Sequence, residues 1–84
     1  MLEEYRKEIA EIDKEIIALL DERFDICWEV GGYKKENGIP VLNAGVEEKK
    51  LDSIDTLASE DNAPYIREVF HEILKQSRKL QEEM

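Results

Sequence analysis

The chain holds one cysteine and one histidine, Cys27 and His71, among its 84 residues. A lone cysteine excludes an internal disulfide, so nothing covalent staples the fold. One Cys with one His does not make a metal ligand set, and no metal is expected. Both residues read most simply as structural, Cys27 packed and His71 on the surface. Basic residues are scarce, 12 against 21 acidic, for a formal charge of −9. That balance argues against nucleic acid, whose phosphates demand a basic face, and against anionic membrane surfaces. No run approaches the roughly 18–20 apolar residues of a spanning helix. The opening MLEEYRKEIAEID is charged throughout and lacks the apolar core of a signal peptide. A soluble, cytoplasmic protein is expected. Residues 1–84 are read as one domain, near the lower limit for a chain that must build its own core. Without disulfide or metal, the remedies left are regular helix packing and oligomerisation. Association with a second chain is the leading expectation.

Proline is absent before Pro40 and glycine before Gly31. Over that stretch apolar residues recur at Leu2, Tyr5, Ile9, Ile12, Ile16, Leu19, Leu20, Ile26, Val30 and Tyr33. The three-and-four spacing predicts an amphipathic helix from Leu2 to about Lys35, roughly 50 Å long. The pair Gly31-Gly32 softens its last turns, and Gly38 and Pro40 stop it. A second helix starts with Asn43 as cap, carries Val46, Leu51, Ile54, Leu57 and Ala58, and ends near Ser59. In SEDNAP, Asn62 is a candidate cap and Pro64 sits in the first turn of a third helix. Ile66, Val69, Phe70, Ile73, Leu74 and Leu80 mark that helix, which runs to the end of the chain. Nothing alternates with period two, although residues 39–42 are short enough to be briefly extended. The fold class is all-α, with one long and two shorter helices. The shorter pair cannot line the long helix from end to end. A stripe left bare over that length exceeds what a soluble monomer tolerates, and two chains exchanging long helices would cover it.

Polar residues interrupt these stripes. Beyond Ile9, Ile12, Ile16 and Leu19 the first helix's seam continues through Arg23, Ile26, Val30 and Lys34. Arg6 lies beside Leu2 and Ile9 on the same face. On the third helix Ser77 and Gln81 follow Ile66, Phe70, Ile73 and Leu74, and Glu47 sits in the first turn of the second. Each has an ordinary explanation taken singly. Arginine and lysine bury their stems and send their heads to solvent. Ser77 and Gln81 suit a fraying terminus, and Glu47 suits a helix N-terminus. Together they point further, because a buried cation without a partner is strongly unfavourable. A water-poor cavity for a small anion accounts for all of them. Arginine would grip carboxylates in bidentate fashion, Ser77 and Gln81 would add neutral hydrogen bonds, and Glu47 would accept from a hydroxyl.

At these residues the chain resembles the all-α chorismate mutases. That family shows R-x-x-I-x-x-[IL]-D, then L-L-x-x-R, then a valine-glycine-x-x-K element, then a loop ending in proline. The counterparts here are Arg6, Ile9, Ile12 and Asp13; Leu19, Leu20 and Arg23; Val30, Gly31, Lys34 and Pro40. The closing FHEILKQSRKLQ is similar to the family's terminal helix, with Phe70, Ser77 and Gln81 in register. The resemblance implies an intertwined homodimer that converts chorismate to prephenate without a cofactor. It implies that Arg6 reaches in from the partner chain and, with Lys34, holds the side-chain carboxylate of the substrate. Arg23 and Ser77 would hold the ring carboxylate, and Glu47, with a backbone N–H near Asn43, the ring hydroxyl. Lys34 and Gln81 would donate to the ether oxygen. Lys34, Gln81, Arg23 and Glu47 are thus the expected catalytic groups.

Two positions depart from the family pattern, which commonly has Asp where Asn43 stands and Arg where Val46 stands. Asparagine still caps a helix. Val46 is expected to remove a positive charge and any orienting contact to Glu47, giving a slower enzyme or an inactive homologue. Gly45 weakens the same turn, and Gly32 adds to the expected mobility of the loop. Isochorismate pyruvate lyase shares the fold and most of the cations, and is the enzymatic alternative. A non-catalytic helical dimerisation or regulatory module is the other, and a generic acidic three-helix protein would leave the inward cations unexplained.

Overall fold

The computed structural model describes all residues, 1–84. It contains three α-helices and no strand: α1 (Leu2–Glu36), α2 (Ala44–Leu57) and α3 (Ala63–Glu82). The all-α expectation holds. α1 carries Glu3 and Glu4 in its first turn and Lys34 and Lys35 in its last, which matches the helix dipole at both ends. It runs without interruption through Gly31-Gly32 and stops where Gly38 turns left-handed, at φ 63°. That turn brings the Ile39 N–H back to the Lys34 carbonyl at 2.8 Å, closing the helix end. Residues 39–42, a candidate extended stretch, form a linker without strand pairing.

Asn43 caps α2 as expected, its Oδ1 accepting from the Val46 N–H at 3.2 Å. α2 ends at Leu57, two residues short of the expected Ser59, because Ala58 adopts an extended backbone at φ −95°, ψ 158°. The cap expected at Asn62 does not form. Asn62 sits in the helical region, at φ −95°, ψ −18°, and its side chain bonds nothing in the helix. A capping side chain folds back only from extended backbone, which Asn62 lacks. Pro64 enters the first turn of α3 as expected, and the helix stops at Glu82, with Glu83 as its C-cap.

α3 is the central element. It packs against both α1 and α2, whereas α1 and α2 do not pack against each other. Arg67 of α3 and Asp55 of α2 are joined by an ion pair of 2.7 Å on the outer side. Ile54, Ala63, Leu74, Ser77 and Gly31 are the buried residues, so the core follows α3 and the parts of α1 and α2 that pack on it. Every residue from Met1 to Leu19 is exposed. Ile9, Ile12 and Leu19 keep 56%, 54% and 62% of their surface in solvent. The radius of gyration is 15.6 Å, against about 12 Å for a compact chain of this length. The accessible surface is 6923 Å², about 1,700 Å² above the usual value for this mass. No helix is long and apolar enough to cross a membrane.

Candidate active site

One hollow gathers the polar residues of all three helices. It occupies about 290 Å³ between the second half of α1, the linker, the first turn of α2 and the last turns of α3. Arg23, Cys27, Val30 and Lys34 face it from α1, on successive turns of one helix face. Leu74, Ser77, Arg78 and Gln81 face it from α3, and Val41, Asn43, Val46 and Glu47 from the linker and α2. Leu74 and the aliphatic parts of Val30 and Val41 give it apolar walls, which strengthen the charges they surround.

The donors are held by neutral acceptors. The Arg23 guanidinium donates to Ser77 Oγ at 2.9 Å. Ser77 is buried, and its hydroxyl donates in turn to the Ile73 carbonyl at 2.8 Å. It therefore serves as a fixed acceptor that aims Arg23, besides lining the hollow. Lys34 Nζ donates to the Val41 carbonyl at 2.8 Å, which ties the linker back to α1. Gln81 Nε2 donates to the Cys27 carbonyl at 2.9 Å. Each of these donors has further N–H groups to offer a ligand, since lysine has three, arginine five and a carboxamide two.

Gly31 makes the Gln81 contact possible. A Cβ there would lie 2.9 Å from Gln81 Cγ and 2.5 Å from Met84 Sδ. The missing side chain lets the end of α3 lie directly on α1, and Gly31 is buried as a result. The glycine read from the sequence as a soft point is a packing surface.

Six of the seven expected site residues meet here: Arg23, Lys34, Asn43, Glu47, Ser77 and Gln81. Arg6 does not. It stands on the exposed first half of α1 and lines nothing in its own chain. The sequence reading missed Arg78. Its guanidinium is ion-paired with the Glu47 carboxylate, the two side chains 30% and 22% exposed. The expectation that Val46 leaves Glu47 without an orienting contact is therefore corrected: α3 supplies it. The sequence signal available for Arg78 was its place one turn after Leu74, at the edge of the apolar stripe of α3, but its partner Glu47 is met only through the packing of α2.

A hollow with two cations on neutral acceptors, an internal ion pair and apolar walls is suited to a small anion bearing a hydroxyl. Its side chains can position such an anion and stabilise charge on it. A family model described as chorismate mutase type II matches residues 5–82. No curated protein and no solved structure matches the chain.

Proposed function

The chain belongs to the type II chorismate mutase family, and we propose on that premise that it converts chorismate to prephenate by a concerted [3,3] rearrangement. The observation that carries the proposal is the placement of Arg23 and Lys34. Both face one partly apolar hollow, and neither is ion-paired. Inward cations without a carboxylate partner are costly unless a ligand anion completes them.

The reaction needs no nucleophile, general base or cofactor. It needs the substrate held in its compact diaxial conformer, and charge stabilised on the ether oxygen as the C–O bond breaks. Arg23, aimed by Ser77, would grip the ring carboxylate in bidentate fashion. Glu47, with a backbone N–H near Asn43, would take the ring hydroxyl. Lys34 would hold the side-chain carboxylate and, with Gln81, donate to the ether oxygen. Donors at that oxygen act more on the transition state than on the ground state, which is the condition for raising kcat.

The remaining grip on the side-chain carboxylate would come from Arg6 of a second copy. The bare half of α1 supports an intertwined homodimer, since Ile9, Ile12, Ile16 and Leu19 are an apolar stripe with nothing covering it. The surplus surface of about 1,700 Å² per chain is in the range of an obligate interface. A place in phenylalanine and tyrosine biosynthesis, in the cytoplasm, follows from the proposed activity.

Purified protein should consume chorismate, followed by its absorbance, and form prephenate. Release of pyruvate from isochorismate, with chorismate untouched, would assign the hollow to the lyase instead. No turnover of either would leave a non-catalytic module.

A further inference from the structure

The charges of the hollow can be counted from their partners. Arg23 rests on a hydroxyl and Lys34 on a backbone carbonyl, so both keep their full charge for a ligand. Glu47 is the one carboxylate lining the hollow, and it is paired with Arg78 across the gap between α2 and α3. The pair cancels within the protein. What remains from this chain is two positive charges, which match a dicarboxylate.

We propose that Arg78 is the charge-balancing and positioning residue of this site: by pairing with Glu47 it keeps that carboxylate from capturing Lys34 or repelling the substrate's own carboxylates. The proposal rests on the mutase reading and adds a residue to it. Without Arg78, Glu47 faces the two remaining cations directly. An opposite charge at close range in a partly apolar hollow is attracted far more strongly than in water. Glu47 would then swing toward Lys34, the net charge of the hollow would fall by one, and the hydroxyl acceptor would leave its place. The fork of an arginine suits the pairing role, since it holds a carboxylate in a fixed orientation as well as neutralising it.

The mechanism makes a prediction that simple packing does not. Removing Arg78 alone is harmful because it releases an anion, so removing that anion as well should restore substrate binding. R78M is expected to raise KM for chorismate about tenfold or more. E47Q/R78M is expected to bring KM back to within about threefold of E47Q alone, while kcat stays reduced for want of the hydroxyl acceptor. R78K, which keeps the charge but not the fork, should fall between R78M and the unsubstituted chain. Circular dichroism establishes that each variant is folded. A KM for R78M within about twofold of the unsubstituted value overturns the proposal. So does a double variant no better than R78M, or an R78K as weak as R78M, since either outcome marks Arg78 as a packing residue. An unsubstituted protein that leaves chorismate unchanged removes the mutase reading itself, a result separate from all of these.

Discussion

At the scale of single residues, the proposed mechanism separates groups that bind from groups that turn over. Lys34 reaches both the side-chain carboxylate and the ether oxygen in the proposed mechanism, and only the second contact grows in the transition state. K34A is therefore expected to lower kcat by about 100- to 1,000-fold, the usual cost of one preorganised donor, with a smaller rise in KM. Steady-state kinetics on chorismate measure both, and a variant that loses only KM would remove Lys34 from the chemical step. Gly31 is expected to serve both stability and activity. Alanine at a helix-interior glycine stabilises by about 1 kcal/mol, but its Cβ would overlap Gln81 Cγ and Met84 Sδ. The overlap outweighs the propensity gain, so G31A should melt at a lower temperature, and kcat falls about tenfold or more as the Gln81 amide moves. Arg23, Lys34, Ser77 and Gln81 were legible in the sequence because each breaks an apolar stripe at a position whose direction the helix period fixes. The pairing of Arg78 and the packing role of Gly31 were not, since both depend on which helices become neighbours.

At the scale of elements, helix boundaries followed local chemistry, and the missing cap at Asn62 followed backbone geometry. Asn43 and Asn62 are the same residue type in the same sequence context, each just before a helix. Only Asn43 has the extended backbone that lets its side chain reach back to the first turn. N43A is expected to cost about 1 kcal/mol of stability, and N62A less than about 0.5 kcal/mol. Denaturant titration of the two variants distinguishes them, and equal losses would contradict the capping geometry. Asn43 also lines the hollow, so N43A should reduce activity as well, whereas N62A should leave it intact. The linker between α1 and α2 is held by Lys34 through the Val41 carbonyl. Lys34 thus also fixes the path of the chain toward Asn43 and Glu47, which couples the order of the linker to the hollow it borders.

At the scale of the whole molecule, the length mismatch among the helices already indicated that one chain leaves its long helix half bare, and the exposed stripe from Leu2 to Leu19 matches that reading. If a second copy covers the stripe and lends Arg6, each site is built from two chains, and two defective chains can repair one another. An R6A chain keeps its own Arg23, Lys34 and Gln81 but has no Arg6 to give. A K34A chain has the reverse defect. In a hybrid dimer one site combines the Lys34 of the R6A chain with the Arg6 of the K34A chain and is complete, while the other site lacks both. Denaturing the two variants together at equal amounts and refolding them should yield half hybrids, each with one working site. The expected activity is about a quarter of the unsubstituted protein's, well above the sum of the two variants refolded apart. An intertwined pair exchanges chains only by unfolding, so mixing the folded variants should give no such recovery until they are denatured. Recovery on simple mixing would point to a looser association, and no recovery after joint refolding would confine the site to a single chain.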